Sequence, residues 1–370
     1  MMEVRDIPRI RPRSPGDIAQ LVPYLVGFQP EESLVILVID HGRLAVTARV
    51  DLDQMQHQQQ LDQLINRIWT RFPGADAIAL TYTVDHEAGW DTLSRFSASL
   101  PGRADRTIML VDGTTWHQPD GTTGVVDAYG HVATQATVTG LVKHQHRADL
   151  APRLASAETT RELTATVNRV LDRLPDPADN RRLVNAFTDL LARNLPTPAT
   201  EGRTTTRTMP SEDAIAMAIL SQNPAVSDVA LLAMTRNTAE QHLQLWCDVV
   251  NRTPDYGSEQ PLHLAGMAAW MAGDGALAAM ALERAQTLAS PGDASRPQLL
   301  SELIDRVVPP ASWEQLRADA LTQAHPLVRN AVSELAPPAT GEPWESVNPP
   351  VHTTRHAPRN PTPPAPGVAL

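Results

Sequence analysis

The chain has almost no cysteine and almost no lysine. Cys247 is its single cysteine among 370 residues, which excludes an intrachain disulfide and any zinc or iron–sulfur centre built from several thiolates. Lys143 is the one lysine among 31 basic residues, a bias toward arginine that looks like GC-rich coding rather than mechanism. Phosphate-binding loops are missing too. Neither Gly-x-x-x-x-Gly-Lys-Ser/Thr nor Gly-x-Gly-x-x-Gly occurs, and Gly121-Thr122-Thr123-Gly124 precedes a predicted strand instead of joining a strand to a helix. The sequence therefore argues against dinucleotide and P-loop nucleotide binding. A formal charge of −11 argues against sequence-independent contact with nucleic acid or an anionic membrane, and no apolar run approaches the roughly 18 residues of a membrane span. The arm carrying Arg5, Arg9, Arg11 and Arg13, broken by Pro8 and Pro12, lacks a signal-peptide core. A soluble, cytoplasmic protein is expected.

What is present is clearest between Ser14 and Leu52. Ser14, Pro15, Gly16 and Asp17 read as a capped helix start, and Ile18, Leu21, Val22 and Leu25 form an apolar stripe that Gly27 ends. The uniformly apolar run Leu34 to Ile39 predicts a strand buried on both faces, and Asp40-His41-Gly42 turns it back into Leu44 to Val50. A helix over 54–71, a strand over 75–83, a helix over 90–99 and strands over 107–111 and 122–129 follow. Strand, helix, strand, helix, strand implies parallel neighbours joined by crossovers, with hairpins making the sheet mixed. The fold class is α/β, a mixed sheet with packed helices, followed by an all-α domain.

From about Thr160 only helical patterns occur. The expected division is a basic arm over 1–13, an α/β domain over 14–155, a helical domain over 156–336 with a linker or loop at 196–210, and a Pro-rich disordered tail over 337–370. Trp270 to Asp274, followed by the small residues Ala278, Ala281 and Ala285, resemble one tetratricopeptide unit. A plain helical hairpin accounts for the same pattern.

Ser14-Pro15-Gly16-Asp17, Pro23-Tyr24-Leu25-Val26-Gly27-Phe28, Pro30-Glu31 and Ser33-Leu34-Val35 together resemble the opening signature of an actinobacterial family known as domain of unknown function 4192. Asp112-Gly113 with Trp116, Val132 to Leu141, and Ala269-Trp270 through Leu277 with Ala281-Leu282 are similar to its later blocks, in the same order. The resemblance covers about residues 12–335 and implies no catalytic residue. Cysteines that follow the tryptophan block in many members are replaced here by Trp116-His117-Gln118-Pro119-Asp120, so no thiol chemistry carries over.

Parallel α/β sheets bind ligands at the carboxyl ends of their strands, and this chain places acids there: Asp51 and Asp53, Asp85 with His86 and Glu87, and Asp112. If they converge, they could hold Mg²⁺ or Mn²⁺ and activate water against a phosphoester; if they do not, they are helix caps and turn residues. No other cofactor is expected. His144 and His146 alternate in one segment, and His41 and His117 lie in turns or loops, without a local partner for acid–base work. Ser14 reads as a cap, with no Gly-x-Ser-x-Gly elbow anywhere in the chain, and Cys247 as a packed thiol beside Leu243 and Trp246. Three functions stay open. The foremost is an interaction protein docking a protein partner through the helical surface around Trp270 and Asp274; the others are the metal-dependent phosphoester hydrolase and a small-molecule sensor using the strand-end cleft.

Overall fold

The computed structural model describes residues 10, 12–101, 106–138, 141–196, 208–289 and 299–335. Most of the expected arm, linker and tail lies outside the described residues. Helix α1 (Pro15–Val26) starts as its sequence demands: the Asp17 N–H donates to the Ser14 hydroxyl at 3.1 Å, and the Ser14 N–H donates back to the Asp17 carboxylate at 3.1 Å. Gly27 ends the helix at φ 87, a left-handed geometry that a side chain would strain. Within α1, Pro23 has no N–H to offer the Ala19 carbonyl four residues earlier. The buried Tyr82 hydroxyl donates to that carbonyl instead, at 3.0 Å.

Strands β1 (Ser33–Asp40) and β2 (Arg43–Asp51) form the expected hairpin. Then come α2 (Gln58–Arg71), β3 (Asp76–Tyr82), α3 (His86–Ser99), β4 (Arg106–Asp112), β5 (Thr115–His117) and β6 (Thr123–Val125). The six strands lie in the order β2-β1-β3-β4-β5-β6. The sheet is mixed, but of its neighbouring pairs only β3 and β4 run parallel. The expectation of parallel neighbours at each crossover is corrected at the first one: the hairpin turns β1 inward, and the connection through α2 passes over it, so β3 pairs with β1 in antiparallel register. A short 3-10 turn at Asp53–Met55 delays α2, and the expected strand over 122–129 is only β6, with β5 ahead of it unforeseen in the sequence.

The two faces of the sheet carry different layers. Leu34, Ile36, Val38, Ala77, Ala79 and Leu110 pack with Leu61, Ile65 and Ile68 of α2 and Leu93 and Phe96 of α3. Val35, Leu37, Leu80, Tyr82, Met109 and Val111 share a second core with α1, on which α4 (His131–Val138) packs, and with α5 (Arg161–Leu171), α6 (Asn180–Asn194), α7 (Ser211–Ser221), α8 (Pro224–Leu232), α9 (Ala239–Val250), α10 (Asp255–Ala272), α11 (Gly275–Leu288), α12 (Leu299–Asp305), α13 (Trp313–Gln323) and α14 (Pro326–Leu335). This second core is continuous from Val22 in α1 to Val332 in α14, and the described residues through Leu335 belong to one compact unit. The α/β and helical segments on either side of residue 155 thus share an interior. Inside it Phe187 stacks on Trp246 at 6.2 Å, and Trp270 meets Trp313 edge-on at 6.4 Å.

Among the described residues no single helix is long and apolar enough to cross a membrane; α7 and α8 pass that test only together, and they bend by 110° at their junction.

Two outcomes follow for stability. Ser14→Ala removes one half of a reciprocal cap and is expected to cost about 1 kcal/mol, read as a lower urea midpoint with unchanged slope. His242 is buried in α9 with Nδ1 unpartnered among the described residues, and desolvation brings its pKa from 6.5 down to about 4. The unfolded chain therefore takes up this proton first as pH falls. Stability should decline from about pH 6.5 and level off below about 4, by about 3 kcal/mol in all from this group, and His242→Leu should flatten that part of a denaturation profile.

Candidate functional site

Because β2 and β3 both run antiparallel to the β1 strand between them, their carboxyl ends emerge on the same edge, and β4 joins them by running parallel to β3. Asp51 pairs in register with Ser33, Ser33 with Tyr82, and Tyr82 with Val111, so one row of residues marks that edge. Two clefts open along it, on opposite sides of Glu32, which lines both.

The first cleft, of about 510 Å³, gathers Glu32, Asp51, Asp53, Asp85, Asp91 and Arg95. Each acid there already has an assignment. Asp51 meets Arg49 at 2.6 Å, Asp53 accepts the Gln54 N–H at 2.7 Å, Asp85 caps α3 by accepting the Ala88 N–H at 3.0 Å, and Asp91 meets Arg95 at 2.8 Å. Asp112 does not line this cleft; it lies 3.1 Å from His86 Nε2 instead, and the His86 ring sits edge-on to His117. The structure thus brings Asp51, Asp53 and Asp85 to one rim and leaves Asp112 outside. Among the described residues, no group of three or more His, Cys, Asp or Glu side chains could hold a metal ion.

The second cleft, of about 570 Å³, lies between α1 and the ends of β3 and β4. Ala19, Pro23, Tyr82, Val111 and Val126 give it an apolar floor, and burial pushes the Tyr82 phenol well above its ordinary pKa. Gln20 also lines it. Its carboxamide is nearly covered, at 4% exposure, yet Nε2 has no hydrogen-bond partner among the described residues. A buried unpaired amide costs about 1–3 kcal/mol, so this position is unfavourable for the empty fold. Glu32 adds a second unfavourable feature. It holds φ 40, a left-handed conformation costing a non-glycine residue about 1–2 kcal/mol. Two bonds hold it there: the Leu52 N–H donates to its carbonyl at 2.9 Å, and the Thr83 hydroxyl donates to its carboxylate at 2.9–3.0 Å.

The strap Lys143 to Gln145 borders this cleft. The His144 N–H donates to the Gly27 carbonyl at 2.8 Å and the Gln29 N–H to the His144 carbonyl at 3.0 Å, which pins the strap beside the end of α1. The Lys143 ammonium then sits 5.0 Å from the centre of the Tyr24 ring and makes no ion pair with any described residue. The alternating histidines serve this strap through His144 backbone and through His146, whose Nδ1 lies 3.6 Å from Glu31.

A third cleft, of about 540 Å³, runs along the seam of α1 with α9 and the α10–α11 turn. Asp274 there caps α11 by accepting the Leu277 N–H at 3.0 Å and lies 3.5 Å from Arg153. Trp270, expected on a docking surface, is buried at 6% exposure against Trp313 because α10 is apolar nearly all round. Sequence reasoning passed over Gln20, Glu32 and Lys143. The available signals were a glutamine between Ala19 and Leu21 in an apolar helix and the lone lysine of an arginine-rich chain.

A family model, described as Domain of unknown function (DUF4192), matches residues 15–311. No curated protein and no solved structure matched.

Cys247 lines the third cleft, and burial there lifts its thiol pKa from 9.0 to about 11. Labelling of the folded protein by a disulfide reagent at pH 8 is expected to run about a hundredfold slower than in denaturant, since reactivity follows the thiolate fraction. Equal rates in the two conditions would contradict the packed assignment.

Proposed function

We propose that this chain, a member of the DUF4192 family, is a small-molecule-binding protein that uses the cleft between α1 and the ends of β3 and β4, without turnover. The observation that carries this reading is the buried Gln20 Nε2, without a hydrogen-bond partner among the described residues, on a side chain that lines a cleft of ligand size. A polar group kept dry and unpaired is a standing cost to the fold, and a ligand bonding to it relieves that cost. The strained Glu32 backbone beside it is the kind of local cost that accompanies function. A cytoplasmic location fits a protein sensing a small metabolite.

The interaction reading loses its anchor with Trp270 buried, and the tetratricopeptide likeness of α10 and α11 then describes a helical hairpin whose α11 buries one face against the core. Among the described residues the hydrolase reading lacks a ligand set.

Gln20→Leu separates binding from structure. Removing the unpaired amide while keeping its bulk should raise the melting temperature of the empty protein by a few degrees. The same change should abolish stabilisation by whichever member of a millimolar panel of amino acids, nucleosides, sugars and carboxylic acids stabilises the parent; for the parent, saturation at a hundredfold the Kd adds about 2.7 kcal/mol. A destabilised Gln20→Leu protein with unchanged response to the panel would make the amide structural and end this reading.

A further inference from the structure

We propose that the ligand is the zwitterion of an apolar amino acid, an inference that rests on the reading of this cleft as a binding site. The charged side chains lining the cleft are of both signs: Lys143 on the strap, and Glu31 and Glu32 at the amino end of β1. Lys143 has the Tyr24 ring but no carboxylate among the described residues, so it is left with donors for an anionic group. Glu32 accepts a single hydroxyl, from Thr83, and Glu31 lies 3.6 Å from a His146 side chain that is more than half exposed; both carboxylates keep acceptor capacity for an ammonium group.

Each simpler ligand class leaves one of these groups worse off. A plain anion that meets Lys143 also meets two carboxylates, and a plain cation that meets Glu32 also meets Lys143. A neutral apolar molecule covers Gln20 without pairing its carboxamide and strips water from three charges. A zwitterion divides itself between the two signs, with its carboxylate at Lys143 and its ammonium at Glu31 and Glu32. The Gln20 amide then hydrogen-bonds the ligand's polar end, and Ala19, Pro23, Tyr82, Val111 and Val126 surround its side chain. This arrangement also gives the lone lysine of the chain a purpose that an arginine would serve differently: a compact ammonium stacked over Tyr24 presents a point charge, not a planar fork.

The test is calorimetry on the whole chain with L-leucine and L-phenylalanine against N-acetyl-leucine, leucinamide and 4-methylpentanoate. At least one of the two amino acids should bind. Loss of either charge in the ligand should weaken binding by about tenfold or more. Lys143→Met should lower affinity for the amino acid and erase its advantage over leucinamide, while Glu32→Gln, which keeps an acceptor for Thr83, should erase its advantage over N-acetyl-leucine. Equal affinity for the charged and blocked ligands would overturn the zwitterion assignment. If a different compound binds and Gln20→Leu abolishes it, this inference falls while the binding site stands; if nothing binds at millimolar concentration, both fall.

Discussion

The hydroxyl of Tyr82 and the carbonyl of Ala19 make the contact on which the candidate site depends. Pro23 creates the vacancy by withholding a backbone donor inside α1, and the last residue of β3 fills it from across the core. The helix is thereby fixed over the carboxyl end of the sheet, with Gln20 directly beside the bonded Ala19. Without that tie, α1 would have its apolar packing but no polar bond setting its position against β3. The cleft floor is therefore a product of one proline and one tyrosine that lie 59 positions apart in the sequence.

The rim illustrates how similar residues come to play different parts. Asp85 stands at the start of a helix and accepts the free N–H of Ala88, which is the ordinary use of an acid at that position. Asp51 and Asp53 are likewise engaged within a few residues of themselves. Glu32 differs because its backbone is held left-handed while its carboxylate bonds, among the described residues, the Thr83 side chain alone and lines a cavity on either side. Convergence on one edge followed from topology, whereas availability for a ligand depended on local bonding.

Local signals in the sequence carried much of the fold. The Ser14 cap, the Gly27 stop and the Asp40-His41-Gly42 turn involve neighbours in the chain, and each stands where the residues put it. Which strands adjoin was less legible: alternation and apolarity say that β1 is buried on both faces but not that β3 pairs with it in reverse. β5 has three residues, and the indole of its Trp116 lies close against Gly16 and Gly124, so no periodic pattern could announce it. Trp270 misled for a related reason. A tryptophan next to a Gly-Asp turn looks peripheral until α13 brings Trp313 against it. Gln20 was hidden because a single polar residue in a helix reads as a surface position, and only the placement of the sheet end and the following loop shows that it is covered.

The interior common to the sheet face and the helices has a consequence for how the molecule comes into being. Val35, Leu80 and Met109 share one buried cluster with α1 before them and with residues far later in the chain, Phe187 and Trp246 among them. The nascent front half, leaving the ribosome first, presents a sheet clothed by α2 and α3 on one side and by α1 on the other, with an apolar cluster still to be completed. Synthesis must run nearly to α14 before that cluster is complete, so the interval between the first strand and the last helix is the period in which this chain is most prone to stick to others.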